Sequence, residues 1–303
     1  MQNFDCIMVG AACCDIIFND LPSMPKPGEE VWASGFMLTV GGMMNSAAAL
    51  SRLGKRVGLV TAFGTDIWGD IIASKMAEEG VSASLVHRMP EPYPQITVSF
   101  NYQDDRSMIS YGDGGKLSEN FKAHLLSVIR RHEAGIYHFS SQQDYTAFIQ
   151  EARMRRRIIS LDAVWDEAWL KSSGIRDQIR MADIFMPNLM EAQTITGKQD
   201  AYEALDVLAE LVPLAVIKMG GEGAIAKMGG EVFQANGFHV EPVDLTGAGD
   251  CFASGFLYGW LNRMPVEQCL KIANYCGSRC VQAVGGYTGA PKESNLIEAL
   301  QAL

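Results

Sequence analysis

A glycine-studded turn that runs straight into an apolar helix constrains this chain more than any other stretch. Residues Val243 to Trp260 read VDLTGAGDCFASGFLYGW. Asp244 to Thr246 mark a polar turn, and Gly247 and Gly249 flank Ala248. Phe252, Phe256 and Trp260 then recur every fourth position, on one helical face. Such a turn leaves several backbone N–H groups without partners at the positive end of the helix dipole. That end is suited to holding an anion, phosphate above all. Asp250 falls among those donors. An anion cradle with a carboxylate inside it fits one kind of chemistry. The carboxylate takes a proton from a hydroxyl while the cradle holds the phosphoryl group which that hydroxyl attacks. The plainer alternative is a capped helix with Asp250 as an ordinary first-turn acid.

The 303 residues are 48% hydrophobic and 20% charged, enough for one large α/β domain or two small ones with a sizeable core. A net charge of -10 argues against a nucleic-acid partner, because binding phosphate backbones rewards basic patches. The seven cysteines are odd in number and form no CxxC, which fits small buried hydrophobes in a reducing cytoplasm. The N-terminus is apolar but carries Asp5 and Asp15 and lacks the basic start of an export signal. Val31 to Ser51 is uncharged and long enough to span a bilayer, yet Gly41-Gly42, Asn45 and several hydroxyls make it strand, turn and helix. The expectation is a soluble, cytoplasmic protein with no membrane partner.

Taken in order, short apolar runs alternate with helical patterns. Cys6 to Gly10 reads as a buried strand, and Asp15 follows just past its end, where open α/β sheets place ligands. Glu30 to Val40 reads as a strand, Gly41-Gly42 as a close backbone approach, and Asn45 to Leu53 as a small-residue helix. Asn45 is either that helix's N-cap or an amide turned to a ligand hydroxyl. Arg56 to Ala62 is a strand, and a helix from Ile71 to Glu79 ends at Gly80. Two such βα units predict a parallel sheet with helices outside. Gln95 to Tyr102 and Ser107 to Tyr111, joined by the polar turn Gln103 to Arg106, predict a hairpin. It is either an edge of the main sheet or, with the strand near 31–40, a small antiparallel sheet acting as a lid.

Later strands are read at Gly135 to Ser140, Ile158 to Asp162, Ile184 to Met186 and Leu214 to Met219. His138 reads as a core histidine rather than a metal ligand, and the arginines at 153 and 155–157 as a solvated helix end. Asn188 and Glu191, three apart, are either holders of a hydrated Mg²⁺ or an N-cap with its capping-box partner. Lys218 precedes Gly220, Gly221 and Gly223, a cluster suited to nucleotide phosphates. No Walker A loop occurs, and hairpin strands around Gly229-Gly230 disfavour a dehydrogenase. A helix from Ile272 to Val281 and a Gly-rich turn from Gly285 to Pro291 follow.

The ordered set Asp15, Gly41-Gly42 with Asn45, Asn188-x-x-Glu191, Lys218-x-Gly220-x-x-Gly223 and Asp244-x-Thr246-Gly-Ala-Gly-Asp250 resembles the ribokinase (PfkB) family of carbohydrate kinases. That resemblance implies a single ribokinase-like domain over 1–303, a three-layer α/β sandwich with a mostly parallel central sheet flanked by helices. It also implies a small β lid from about 30–40 and 94–111. It implies ATP and Mg²⁺ as cofactors, with K⁺ as a further candidate, and a homodimer formed through the lid. By resemblance Asp250 is the base, and Gly247, Ala248 and Gly249 form the anion hole. Asp15, Gly41, Gly42 and Asn45 meet the sugar. Asn188, Lys218, Gly220, Gly221, Gly223, Gly249 and Asn274 meet ATP, and Asn188 and Glu191 organise Mg²⁺ through water. Asp244, Thr246 and Gly285 match the monovalent-cation site.

Two departures stand out. Asn45 lies four residues after Gly41, where family members commonly place five. The segment Asp162-Ala-Val-Trp165 replaces the Asp-Pro-Asn of many fructokinases, which weakens that assignment. Between Gly10 and Asn45 the only basic residue is Lys26, and between Tyr93 and Gly112 only Arg106. A sugar phosphate needs Arg or Lys at its phosphate, so the expected substrate is a neutral sugar or polyol. A nucleoside is the alternative, stacked on Trp32, Phe36, Phe100 or Tyr102. The alternative of another class is a non-catalytic sugar or nucleotide sensor, against which the intact Asp250 motif argues.

Overall fold

The computed structural model describes residues 4–102, 105–112, 117–141 and 143–302, without the side chains at 105, 106, 301 and 302. The chain opens with β1 (Phe4–Val9), then β2 (Ala12–Asn19), β3 (Gly35–Gly42) and α1 (Met43–Arg52). It continues through β4 (Val57–Val60), β5 (Ala62–Phe63), α2 (Ile67–Glu78), β6 (His87–Arg88), β7 (Ile96–Tyr102) and β8 (Asp105–Tyr111). Next come α3 (Glu119–Arg131), β9 (Ala134–Ser141), α4 (Thr146–Met154), β10 (Ile159–Ala163), α5 (Glu167–Leu170), α6 (Ser173–Met181) and β11 (Ile184–Phe185). The last part holds α7 (Leu189–Thr196), α8 (Ala201–Ala209), β12 (Leu214–Lys218), β13 (Ala224–Met228), β14 (Glu231–Ala235), α9 (Ala248–Leu261), α10 (Val266–Cys280) and α11 (Glu293–Ala302).

The main sheet has eight strands in the order β14-β13-β12-β11-β10-β9-β1-β4. Pairing is parallel from β4 to β12, and the β13–β14 hairpin adds the antiparallel edge. Buried residues along these strands alternate between two cores. Cys6, Met8, Ile136, Ile184 and Val216 face α1, α2, α9 and α10. Ile7, Val9, Tyr137, Phe139, Leu161 and Ile217 face α3, α4, α6, α7 and α8. A strand buried on both faces reads as a continuous apolar run, which is why β1, β4 and β12 were legible and their two-sided packing follows. Each fully buried aliphatic side chain contributes about 1.5–3 kcal/mol, so the two cores fix the layers.

A separate four-stranded sheet, β3-β2-β7-β8, stands apart from the main one. The hairpin therefore belongs to the small sheet and is not an edge of the large one. Its turn at 103–104 lies outside the described residues. β2 is a strand that sequence reasoning missed, because CCDIIF lacks the polar–apolar alternation that marks a half-buried strand. β3 starts at Gly35 rather than Glu30 and runs through Gly41-Gly42, which pair with Cys13 and Ala12.

His138 is fully buried, its Nδ1 3.0 Å from the Ser160 hydroxyl, and burial pushes its pKa down to about 3. It is a core histidine. The arginines at the end of α4 are held by surface ion pairs: Arg153 with Asp183, Arg155 with Glu151 and Arg157 with Glu133. No helix among the described residues is long and apolar enough to cross a membrane.

Candidate active site

Three adjacent parallel strands, β10, β11 and β12, deliver Asp162, Asn188 and Lys218 to one edge of the sheet. This is the carboxyl edge, where open α/β sheets gather ligands. The first turn of α9 meets them there. Together they line a cleft of about 760 Å³. Asn188, Glu191, Lys218, Gly220, Gly221, Gly223, Gly247, Ala248, Gly249, Asp250 and Asn274 all border it. Every catalytic and nucleotide-side residue singled out from the sequence is thus brought to one cavity.

The amino end of α9 is open. Its N-cap is Gly247, in the left-handed region at φ 73°, and no side chain caps the helix. A Cβ at Gly247 would sit 1.8 Å from the Gly286 carbonyl oxygen, so the turn tolerates only glycine. First-turn N–H groups have no intrahelical acceptor, and here no side chain takes them. The plain capped-helix alternative is therefore not what the chain builds. Asp250 lies in that first turn, half-buried at the cleft floor. Asn45 Nδ2 donates to its Oδ2 at 3.0 Å and Ser46 Oγ to its Oδ1 at 3.2 Å. Burial raises its pKa, and the bonds from Asn45 and Ser46 and the nearby Lys218 charge oppose that rise.

Lys218 reaches across the same floor. Its Nζ lies 2.7 and 2.9 Å from the two oxygens of Asp162, and both side chains are only 10% exposed. Gly249 makes room for it, since a Cβ there would lie 3.3 Å from Nζ. Burial pushes the Asp162 carboxyl up to about 7, even with Lys218 beside it. Lys218 is pushed up by Asp162, Glu191 and Asp250 against the cost of its own burial.

Asn188 and Glu191 form a complete capping box on α7: Glu191 N–H donates to Asn188 Oδ1 at 2.9 Å, and Asn188 N–H to Glu191 Oε2 at 2.7 Å. The structural role is satisfied, while both side chains still border the cleft. Asn274 Nδ2 donates to the carbonyls of Ala235 and Asn236, which fixes the chain leaving β14.

The proposed sugar-side residues lie behind Asp250 and do not line the large cleft. Asp15 sits in β2 beneath Gly41, where a Cβ would come 2.0 Å from its Oδ2. Cys13 Sγ donates to its Oδ1 at 3.3 Å. Gly42, at φ 68°, turns the chain from β3 into α1 and passes close to the Ala11 carbonyl. Asn45 is not the N-cap. It is buried, and its Oδ1 has no hydrogen-bond partner. Asp244, Thr246 and Gly285 come together below the turn. Thr246 donates its N–H and hydroxyl to Asp244 Oδ1 at 2.9 and 2.6 Å, and Gly285 N–H donates to Oδ2 at 2.9 Å.

Sequence reasoning passed over Asp162, Ser46 and the wall at Trp165, Phe238 and His239. Asp162 carried a signal, a carboxylate closing a buried strand. Ser46 carried none beyond its place beside Asn45.

The sequence profile of the pfkB family of carbohydrate kinases matches residues 3–293. The chain belongs to that family. A 2-dehydro-3-deoxygluconokinase from Bacillus subtilis is 28% identical over 279 residues, covering 86% of each chain. Arabidopsis thaliana ribokinase, solved with ribose and ATP, superposes with a TM-score of 0.84 at 24% identity, covering 99% of each chain. An Escherichia coli chain solved with ATP and Mg²⁺ gives 0.84 at 22% identity, covering 99% of this chain and 100% of that one. The two structures speak to the fold, which is ribokinase-like. As a pfkB-family member the chain is a sugar kinase, a phosphotransferase with an alcohol group as acceptor.

Proposed function

We propose that this pfkB-family chain moves the γ-phosphoryl group of ATP to a hydroxyl of a small neutral sugar or polyol. The observation that carries this reading is the Asp250 carboxylate, held at the open amino end of α9 on the floor of the cleft. Asp250 accepts the hydroxyl proton as that oxygen bonds to the γ-phosphorus and the bond to ADP breaks. The N–H end at Gly247, Ala248 and Gly249, with Lys218, meets the charge on the transferring group. Gly220, Gly221, Gly223 and Asn274 border the nucleotide. Asp15, Gly41, Gly42 and Asn45 take sugar hydroxyls, Asn45 lying against Asp250 through its amide.

Among the described residues no three His, Cys, Asp or Glu side chains converge into a metal cage. Mg²⁺ fits such a site, since it keeps several waters and needs one or two carboxylates beside the phosphates. Glu191 and Asn188 would hold it through water, Glu191 Oε2 and Asn188 Oδ1 each already accepting one capping-box bond. When bound, the ion neutralises phosphate charge. Both Asp244 oxygens already accept bonds from Thr246 and Gly285. We read these residues as a clasp joining two turns, and turnover with K⁺ omitted checks whether a cation adds to it.

The small sheet supports a lid with two different faces. Strand register puts Asp15, Ile17, Met37, Thr39, Thr97, Ser99 and Met108 on one side and Ile16, Phe18, Phe36, Leu38, Val98, Phe100 and Ile109 on the other. Phe36 and Phe100 contact Phe18 on that second side. Tyr102 shares it by register, so three of the four aromatics offered to a nucleobase face away from Asp15. That favours a sugar over a nucleoside. Lys26 sits in the exposed loop before β3, and the Arg106 side chain lies outside the described residues. The apolar face leaves Phe36 65% and Ile109 67% exposed, which suits a second copy of this chain as a homodimer. Seven free cysteines suit a cytoplasmic location.

The test is ADP release from ATP and Mg²⁺ with D-ribose, D-fructose, D-glucose, glycerol, myo-inositol, nucleosides and sugar phosphates. One neutral sugar or polyol should stand out. Preference for a sugar phosphate would sink the neutral-substrate reading, and preference for a nucleoside would sink the sugar reading.

A further inference from the structure

We propose that Ser46 is a positioning residue for the catalytic base, fixing one oxygen of Asp250 while Asn45 fixes the other. The inference rests on the reading of Asp250 as that base. A carboxylate's terminal torsion is broad and roughly two-fold, so a single donor lets the plane pivot. Asn45 on Oδ2 alone would leave that freedom. Ser46 Oγ on Oδ1, at 3.2 Å, removes it.

Ser46 is itself held in place. It is 1% exposed, and Ser254 Oγ donates to its carbonyl oxygen at 2.8 Å. The same Ser254 hydroxyl lies 2.9 Å from the Asp250 carbonyl. Side-chain bonds at 45, 46 and 254 thus stitch the first turn of α1 to the first two turns of α9. Because α1 begins where β3 ends, the base is tied to the small sheet that carries Asp15 and Gly41. The direction of the base's lone pairs is set from the sugar side of the molecule rather than from its own helix.

The Ser46 bond also has an electrostatic sign. A hydroxyl donating to an ionised carboxylate favours the charged form. The other groups around Asp250 are the Lys218 ammonium on β12, which acts the same way, and the Asp162, Glu191 and Cys251 side chains on β10, α7 and α9. All of these remain when only Ser46 is changed. Loss of its hydroxyl therefore raises the pKa at which Asp250 becomes a competent base.

The experiment compares wild type, S46A, S46T and D250N across pH 5 to 9, using the panel acceptor turned over fastest. The S46A variant should lose about tenfold in kcat with the KM for ATP within about twofold, since the lost bond acts on the base and not on nucleotide binding. The acid limb of its kcat/KM profile should move up by about half to one pH unit. S46T, which keeps the hydroxyl, should restore that limb. Melting temperatures identify a variant that merely folds poorly. An S46A limb that coincides with wild type while D250N is inactive would overturn the role of Ser46 and leave the base standing. Turnover in D250N comparable to wild type would overturn the base itself.

Discussion

Asp162 and Lys218 are 56 residues apart in sequence and 2.7 Å apart in space. No local pattern joins them, and only the parallel order β10-β11-β12 brings them together. Asp250, the glycines around it and Lys218 were legible because each sits in a short motif whose chemistry is local. Asp162 was visible only as a strand-ending acid, and its pairing with Lys218 was not visible. The pair has a pH consequence. With its carboxyl pushed up to about 7, Asp162 is neutral below that pH and leaves the ammonium free for phosphate. Above it, the carboxylate competes for Lys218. The KM for ATP should therefore rise about three- to tenfold between pH 6 and pH 8, and D162N should flatten that rise in a coupled ADP assay. The asparagine is chosen because it removes the titrating charge while keeping a side-chain oxygen for the Lys218 ammonium. The stability sign agrees. A carboxyl raised above its ordinary 3.8 contributes stability below that value, and the contribution is lost as pH rises through about 7.

Two helices end at the cleft in opposite ways. α7 closes its amino end with a reciprocal capping box, and α9 leaves its own open behind a left-handed glycine. The spacing Asn188-x-x-Glu191 announced the first, but the second was ambiguous. Thr246 is a fair cap by sequence, and only the backbone turn at Gly247 moves the cap one residue on and strips it of a side chain. Replacing Asn188 by alanine should cost about 1 kcal/mol, seen as a lower urea midpoint at unchanged slope, and should also raise the KM for ATP. A lower midpoint with an unchanged KM would assign Asn188 to the cap alone. Ile175 and Ile179 on one face of 173–181, and Ala204, Leu205 and Leu208 on one face of 201–209, carried a helical signal that went unread. β2 is different: one face carries Cys14, Ile16 and Phe18 and the other Cys13, Asp15 and Ile17. Without alternation, periodicity has nothing to report.

For the whole molecule, the layered order was legible because the chain alternates buried runs with helical patterns, and two cores on one sheet admit few other arrangements. The small sheet was half legible: its hairpin was read, while the separation of the Asp15 face from the aromatic face needed the register of four strands. If that apolar face pairs two copies, size exclusion should give twice the monomer mass for wild type and a monomer for I109D, which buries a charge in the contact. A wild-type monomer at micromolar concentration would remove the dimer. The proton-accepting role of Asp250 is read most directly from phosphoryl transfer to the best neutral acceptor with wild type and D250N side by side, ATP binding being followed by calorimetry. The expected result is a loss of about 10²–10⁴-fold in turnover with ATP affinity retained, the range for removal of a general base. Turnover by D250N within a few-fold of wild type would contradict it.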